Sequence, residues 1–164
     1  LVKPFAHDKD AIQALVLFAE VAAYYKSQGK TFADGLQELF EKFGYFEEKT
    51  ISLDFPGIHG NDEMSAIISK FRNEQPKTIG GVAVNRVQDF STATETSADG
   101  QQKTLPQPKA NVLKYWLADG SWVAVRPSGT EPKLKFYIGV ESDSQATSQA
   151  KIDVISEDLM RFAK

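Results

Sequence analysis

The sequence predicts an α+β protein: a four-stranded, largely antiparallel sheet with two helices on one face, preceded by a separate pair of helices. Three observations lead to this fold class. Residues 1–44 show helical spacing of apolar residues and no strand pattern, whereas residues 45–164 mix strand patterns with two further helices. The dipeptide Asp119-Gly120, between two strand patterns, is a strong hairpin signal and makes those strands antiparallel. We therefore expect two domains, at residues 1–44 and 45–164.

The first 44 residues predict two helices. The first is capped by Asp8 or Asp10 and stops at Gly29, and its apolar residues go most of the way round, which predicts burial on several sides. The second opens with a capping box at Thr31 and ends at Gly44. Two such helices need a sheet to cover, and no strand pattern precedes them. We therefore expect this part to be the helical tail of a truncated α/β domain.

The remaining residues predict the sheet and its two helices. One helix is capped by Asn61 or Asp62, and the last runs from about Ser144 to Phe162. Five segments show strand patterns, namely KTISLDF, VAVNRV, NVLKYWL, SWVAVR and LKFYIGV. The element order that we assign to this part, strand–helix–strand–strand–strand–helix, has only four strands, and we expect a sheet of four. In the last of these, Lys135 lies on the face opposite the apolar residues.

A polar stretch, STATETSADGQQKTLPQPKA, lies between Phe90 and Asn111 and has almost no large apolar residue. Its composition is typical of a long mobile connection. We expect it to be a simple insertion rather than a functional lid.

Composition excludes several classes of protein. The 164 residues are 41% hydrophobic, which is ample for a core, and they contain no cysteine, which excludes disulfides and thiolate metal sites and fits a cytoplasmic location. A net charge of −3 argues against a nucleic-acid or anionic-membrane partner. The longest apolar stretch, residues 11–25, is too short to span a bilayer, and no signal peptide is evident. Because the chain begins at Leu1, we expect it to be cut from a longer polypeptide.

The segment RPSGTEPK, which follows the strand pattern SWVAV, has the chemistry of a phosphate site. Arg126 offers a planar pair of donors, and Ser128 and Thr130 add hydroxyl groups. Gly129 permits a positive φ, so that backbone N–H groups can turn toward an anion, and Lys133 adds a second cation. The alternative is an ordinary turn between two strands, since PSGT is a good turn sequence.

The longer segment VRPSGTEPKLKFYIGVES resembles the phosphate-binding loop in the last domain of the α-D-phosphohexomutases, and most closely that of the bacterial phosphoglucomutases. The opening, LVKPFAHDKDAI, resembles the segment after the sugar-binding loop of their third domain. The resemblance covers essentially the whole chain. It implies a tail of the third domain at residues 1–44 and the fourth, phosphate-binding domain at residues 45–164.

The resemblance also implies a reaction. Members of the family interconvert glucose 1-phosphate and glucose 6-phosphate through glucose 1,6-bisphosphate, using a phosphoserine in the first domain and Mg²⁺ in the second. The fourth domain holds the phosphate that is not being transferred. The resemblance assigns this task to Arg126, Ser128, Gly129, Thr130 and Lys133.

The sequence contains neither the serine loop nor an aspartate cluster for the metal. We therefore expect this chain to bind no cofactor by itself, to be inactive alone, and to have as partners a hexose phosphate and the missing N-terminal domains. Lys9, in HDKDA, could contact substrate or assist proton transfer; the alternative is a helix N-terminus with favourable acidic neighbours. Two other functions remain open: a phosphomannomutase or dual-specificity fragment, and a non-catalytic anion-binding or interaction module.

Other polar or aromatic residues are given structural roles. His7 and His59 are far apart in sequence, and a metal site built on them is not expected. Asp62-Glu63 fits helix capping better than acid–base chemistry. The two tryptophans, Trp116 and Trp122, flank the hairpin and are expected to pack in the core or as a cross-strand pair.

Overall fold

The computed structural model describes residues 9–164. The chain divides into two compact units, Leu1–Gly44 and Tyr45–Lys164. The described residues of the first unit form two helices, and the second unit contains a sheet and two helices. Each unit is described by itself below.

The first unit consists of α1 (Ala11–Ser27) and α2 (Phe32–Phe43). The predicted caps are confirmed for Asp10, whose carboxylate accepts a hydrogen bond from the Gln13 N–H at 3.0 Å, and for the capping box at Thr31; Asp8 lies outside the described residues. No residue of α1 is buried, so the burial on several sides that its apolar pattern predicts is not found in this chain, in which we expect the covering sheet to be absent. The reason is geometric, because α2 alone cannot cover a helix that is apolar most of the way round.

The second unit is built on one antiparallel sheet, which confirms the α+β class. The strands lie in the order β1-β8-β7-β6-β3-β4-β5, with β2 paired to β3. Their bounds are β1 (Tyr45–Asp54), β2 (Thr78–Ile79), β3 (Val82–Asp89), β4 (Thr94–Ser97), β5 (Gln102–Thr104), β6 (Leu113–Leu117), β7 (Trp122–Pro127) and β8 (Lys133–Ser142). The four-stranded sheet expected from the sequence is therefore too small: all five segments with strand patterns are strands, and three short strands join them.

Two of the short strands lie in the polar stretch that was expected to be a mobile connection. β4 and β5 form a hairpin across Asp99-Gly100, and Leu105 behind it is buried. Glu95 is also buried and lies 2.9 Å from the Lys103 ammonium. This hairpin is held by its backbone ladder and by charge pairing, so a search for apolar alternation could not find it.

Two helices, α3 (Gly60–Glu74) and α4 (Gln145–Phe162), cover one face of the sheet, as the sequence predicts. α4 begins directly after Ser144, close to the predicted start, and the Ser144 hydroxyl caps the helix by accepting a hydrogen bond from the Thr147 N–H at 3.2 Å. The predicted cap of α3 at Asn61 or Asp62 is wrong. The helix begins at Gly60, and its N-cap residue, His59, makes no side-chain capping bond.

The alternation of buried and exposed residues defines two faces of the sheet. The core face is packed under α3 and α4 and contains, among others, Leu113, Tyr115, Val123, Val125, Leu134, Phe136 and Ile138. The opposite face bears the intervening residues of the same strands, and most of them are polar or charged. No helix in the described part of the chain is long and apolar enough to cross a membrane.

Candidate anion-binding site

The motif found in the sequence forms the loop between two central strands, β7 and β8. The Ser128 N–H donates to the Lys133 carbonyl at 2.7 Å, which closes the loop. The Phe55 N–H donates to the Pro132 carbonyl at 2.9 Å, so the end of β1 holds the loop from the side. The loop is therefore fixed at its base, and the residues between Ser128 and Pro132 project from the end of the sheet.

Several hydrogen-bond donors in this loop have no protein acceptor. Within residues 9–164, no partner accepts from the backbone N–H groups of Gly129 and Glu131, and the Thr130 hydroxyl has none either. The Thr130 N–H makes only a long contact of 3.5 Å to the Ser128 hydroxyl. Gly129, Thr130 and Glu131 are all exposed. A loop of this kind presents to solvent the type of donors that an anion requires.

Two further cations lie beside the loop. Arg126 and Lys135 are directly opposite each other in the β7–β8 register. Since Val125 and Leu134 are buried in the core, both cations lie on the opposite face of the sheet. Neither has an ion pair with any residue from 9 to 164. Like charges placed opposite each other are unfavourable in a sheet, and a bound anion would relieve the repulsion between them.

The third cation, Lys133, already has partners. Its ammonium lies 3.3 Å from the Glu131 carboxylate and 3.5 Å from that of Asp54, its cross-strand neighbour on β1. The hydrogen bond and charge of Glu131, followed by the charge of Asp54, raise the pKa of Lys133 above its ordinary value. Lys133 is therefore a cation throughout the neutral range, but it is shared between two carboxylates.

Gly129 permits a positive φ but does not adopt one. A Cβ atom added there would meet no heavy atom within 4 Å, so the described residues do not require glycine at this position on steric grounds. The space beside Gly129 is open to solvent. An anion could approach the backbone closely there, which is a reason for glycine in an anion-binding loop.

The structure thus brings together the predicted residues Arg126, Ser128, Gly129, Thr130 and Lys133 in one loop and the strand ends that flank it. Lys135 was not among the predicted site residues. Its signal was present, since the alternation of LKFYIGV places Lys135 opposite the apolar face and the same alternation in SWVAVR places Arg126 there. The sequence did not give the register of β7 against β8, which places Lys135 opposite Arg126.

Lys9 lies in the other compact unit, where it is exposed and precedes Asp10, the N-cap residue of α1. Its role in contacting substrate stays a prediction. His59 is exposed at the start of α3, and its ring nitrogen Nδ1 lies 3.9 Å from Asp62; His7 lies outside the described residues.

Trp116 and Trp122 form the predicted cross-strand pair, on the opposite face of the sheet, and Lys114 lies 4.1 and 4.2 Å from the centres of their rings. Among residues 9–164, no group of three or more His, Asp or Glu side chains is arranged to hold a metal ion. The described residues therefore do not fit the Mg²⁺ that the resemblance implies for the family, and no step of the function proposed below runs through a metal.

Comparison with known proteins identifies the class to which this fold and loop belong. The family model of the phosphoglucomutase/phosphomannomutase C-terminal domain matches residues 70–152, slightly more than half of the chain. The chain belongs to this family, which confirms the resemblance found in the sequence. The matched region includes the β7–β8 loop and both strands that flank it.

Curated proteins with similar sequences include phosphoglucomutases from Staphylococcus species. The phosphoglucomutase of Staphylococcus epidermidis is 37% identical over 144 residues, which cover 87% of this chain and 26% of the relative. That of Staphylococcus haemolyticus is 33% identical over 163 residues, which cover 99% of this chain and 28% of the relative. This chain therefore spans about a quarter of the length of the curated relatives it matches.

A solved structure supports the fold. The open form of the exocytosis-sensitive phosphoprotein pp63/parafusin, a phosphoglucomutase from Paramecium, matches 97% of this chain and 28% of its own, with a TM-score of 0.57 and 16% sequence identity. At that identity, the likeness concerns the fold alone.

Proposed function

We propose that this chain is the C-terminal part of a phosphoglucomutase and that its β7–β8 loop holds the substrate phosphate that is not being transferred. The observation that carries the proposal is the pair of cations, Arg126 and Lys135, which lack a carboxylate partner among residues 9–164 and lie beside unbonded loop donors. Family membership supplies the reaction, and the curated relatives supply the preference for glucose.

Each group has a definite task in this proposal. The Arg126 guanidinium binds two phosphate oxygens side by side, and the Lys135 ammonium neutralises the remaining charge. The backbone N–H groups of Gly129 and Glu131 and the Thr130 and Ser128 hydroxyls complete the set of donors. Because β1, β7 and β8 fix the base of the loop, little order has to be gained when the phosphate binds.

Holding one phosphate orients the sugar so that its other end reaches the transfer site. In the family, that site comprises a phosphoserine and Mg²⁺ in other domains, and Mg²⁺ there would neutralise the charge of the phosphoryl group that moves. In this proposal residues 45–164 therefore bind and orient, residues 1–44 are the helical tail of the preceding α/β domain, and the chain shows no turnover by itself. Lys9 would contact the substrate from that tail.

The test is a titration of the ¹⁵N-labelled full chain with glucose 1,6-bisphosphate, followed by amide chemical shifts. We expect saturable shifts concentrated at residues 126–135. Replacing Arg126 with alanine should weaken binding at least tenfold, as expected for the loss of a bidentate charged contact. The matched control is Lys109→Ala, which removes an exposed cation outside the loop and should leave the affinity unchanged.

A second ligand separates recognition of phosphate from recognition of sugar. Mannose 1,6-bisphosphate should bind as tightly as the glucose compound, because the proposed contacts reach only the phosphate. Unchanged binding in the Arg126→Ala variant, or no saturable shift at millimolar ligand, would show that this segment is an ordinary turn.

A further inference from the structure

Two carboxylates lie beside the proposed phosphate site, although an anion site is ordinarily lined by donors and cations. Glu131 belongs to the loop itself, and Asp54 is at the end of β1. Both hold the Lys133 ammonium, at 3.3 and 3.5 Å. The local charge is therefore three cations, Arg126, Lys133 and Lys135, against two anions.

Neither carboxylate is needed to keep the loop in place. The backbone bonds from the Phe55 N–H to Pro132 and from the Ser128 N–H to Lys133 do that. The side chains of Glu131 and Asp54 are 56% and 65% exposed, so they pack against little. What the two carboxylates add at this position is mainly negative charge.

That charge opposes a bound phosphate in two ways. It repels the dianion directly, and it holds Lys133 on contacts that the phosphate must share or displace. A loop that meets first one and then the other phosphate of a bisphosphate must release each of them, and a moderate affinity permits this.

We propose that Glu131 and Asp54 set the affinity of the loop by weakening its hold on phosphate. This inference rests on the proposed function, since it concerns the same site. It predicts a gain of affinity: Glu131→Gln and Asp54→Asn should each bind inorganic phosphate about two- to fivefold more tightly, the size expected for removal of one unit charge near an exposed dianion.

The experiment is a titration of the ¹⁵N-labelled full chain with inorganic phosphate at low and high salt. The variants are Glu131→Gln, Asp54→Asn, the double variant and Lys133→Met, the last in both the original and the double-variant background. The gain in affinity should shrink at high salt because screening weakens the repulsion. Lys133→Met should weaken binding more in the original background, where it leaves both carboxylates uncompensated, than in the double variant.

The outcomes separate this inference from the function on which it rests. Tighter binding in both carboxylate variants supports the inference, whether or not the original chain binds measurably. Equal or weaker binding in the variants, with binding by the original chain, overturns the inference and leaves the proposed function standing. If neither the original chain nor the double variant binds phosphate, both proposals fail. A dispersed amide spectrum of each variant shows that it is folded.

Discussion

Strand β7 has a turn at each end, and the two turns differ in how their polar groups are satisfied. In the turn before it, Ala118–Ser121, the Leu117 N–H donates to the Ser121 carbonyl at 2.8 Å. The Ser121 N–H donates to the Asp119 carboxylate at 3.0 Å, and the Lys151 ammonium of α4 lies 2.8 Å from the same carboxylate. In the loop after β7, the Gly129 N–H and the Thr130 hydroxyl find no such acceptors among residues 9–164, and the Thr130 N–H makes only the long contact to the Ser128 hydroxyl.

The comparison shows how a structural turn can be distinguished from a binding loop. Both segments join antiparallel neighbours, and both contain glycine and polar residues, so turn propensity alone treats them alike. The first directs its hydrogen bonds and charge inward and packs against a helix. The second turns its donors outward and has beside it two cations that form no ion pair with any residue from 9 to 164. We therefore expect substitutions in the first turn to lower stability, and substitutions in the second to change binding and leave stability nearly intact.

The largest loss of stability is expected from Asp119→Ala. The Asp119 side chain is only 26% exposed, and the substitution removes its bonds to the Ser121 N–H and to Lys151. We expect the free energy of unfolding to fall by about 1 to 2 kcal/mol. Both tryptophans of the chain lie in this sheet, so tryptophan fluorescence during urea unfolding reports on the unit that contains the turn.

The pH dependence of this loss identifies its cause. Burial by itself would raise the pKa of Asp119, but the bonds from Lys151 and Ser121 outweigh it and lower the pKa below its ordinary value. The interactions that lower this pKa stabilise the fold while the carboxylate is ionised, as it is at neutral pH. This stabilisation disappears as the pH falls below about 4 through the folded-state pKa. The difference in free energy of unfolding between the original chain and the Asp119→Ala variant should therefore disappear in acid. A gap that stayed constant down to pH 2.5 would assign the loss to packing instead.

A smaller loss of stability is expected when the glycines of the two turns are replaced with alanine. Gly120 has a φ of +86°, a conformation that costs other residues about 1 to 2 kcal/mol, so Gly120→Ala should destabilise the sheet by about 1 kcal/mol. Gly129 has neither a positive φ nor a close neighbour, so Gly129→Ala should change stability by no more than a few tenths of a kcal/mol. Urea midpoints of the two variants, measured together, test the contrast. Equal losses would mean that the two turns are under the same constraint.

The sequence predicted those parts of the fold that depend on local patterns. Apolar alternation found the five longer strands, and the capping signals at Asp10 and Thr31 found two helix starts. The β4–β5 hairpin was not predicted, because its strands are held by backbone hydrogen bonds and by the ion pair between Glu95 and Lys103. Neither interaction produces an apolar pattern in the sequence.

In the candidate site, too, local features could be predicted from the sequence and features that depend on distant contacts could not. The loop motif could be read directly from RPSGTEPK, because its residues are consecutive. Lys135 and Asp54 could not be assigned, because they join the site through the pairing of β7, β8 and β1, and strand register depends on contacts that are distant in sequence. The sequence showed that Gly129 permits a positive φ, but not whether the loop uses it, because glycine permits that conformation without requiring it.

The smallest change in stability is expected from Glu131→Gln, which sharpens the contrast between the two turns. Glu131 pairs with Lys133 much as Asp119 pairs with Lys151, but the Glu131 side chain is largely exposed, and Asp54 still holds Lys133 when Glu131 is neutralised. Exposed ion pairs contribute little to stability because water competes for both charges. We therefore expect no resolvable shift in the urea midpoint at neutral pH. A loss of stability as large as that of Asp119→Ala would show that the Glu131–Lys133 ion pair stabilises the fold. The carboxylates beside the loop would then serve stability and not the affinity for phosphate.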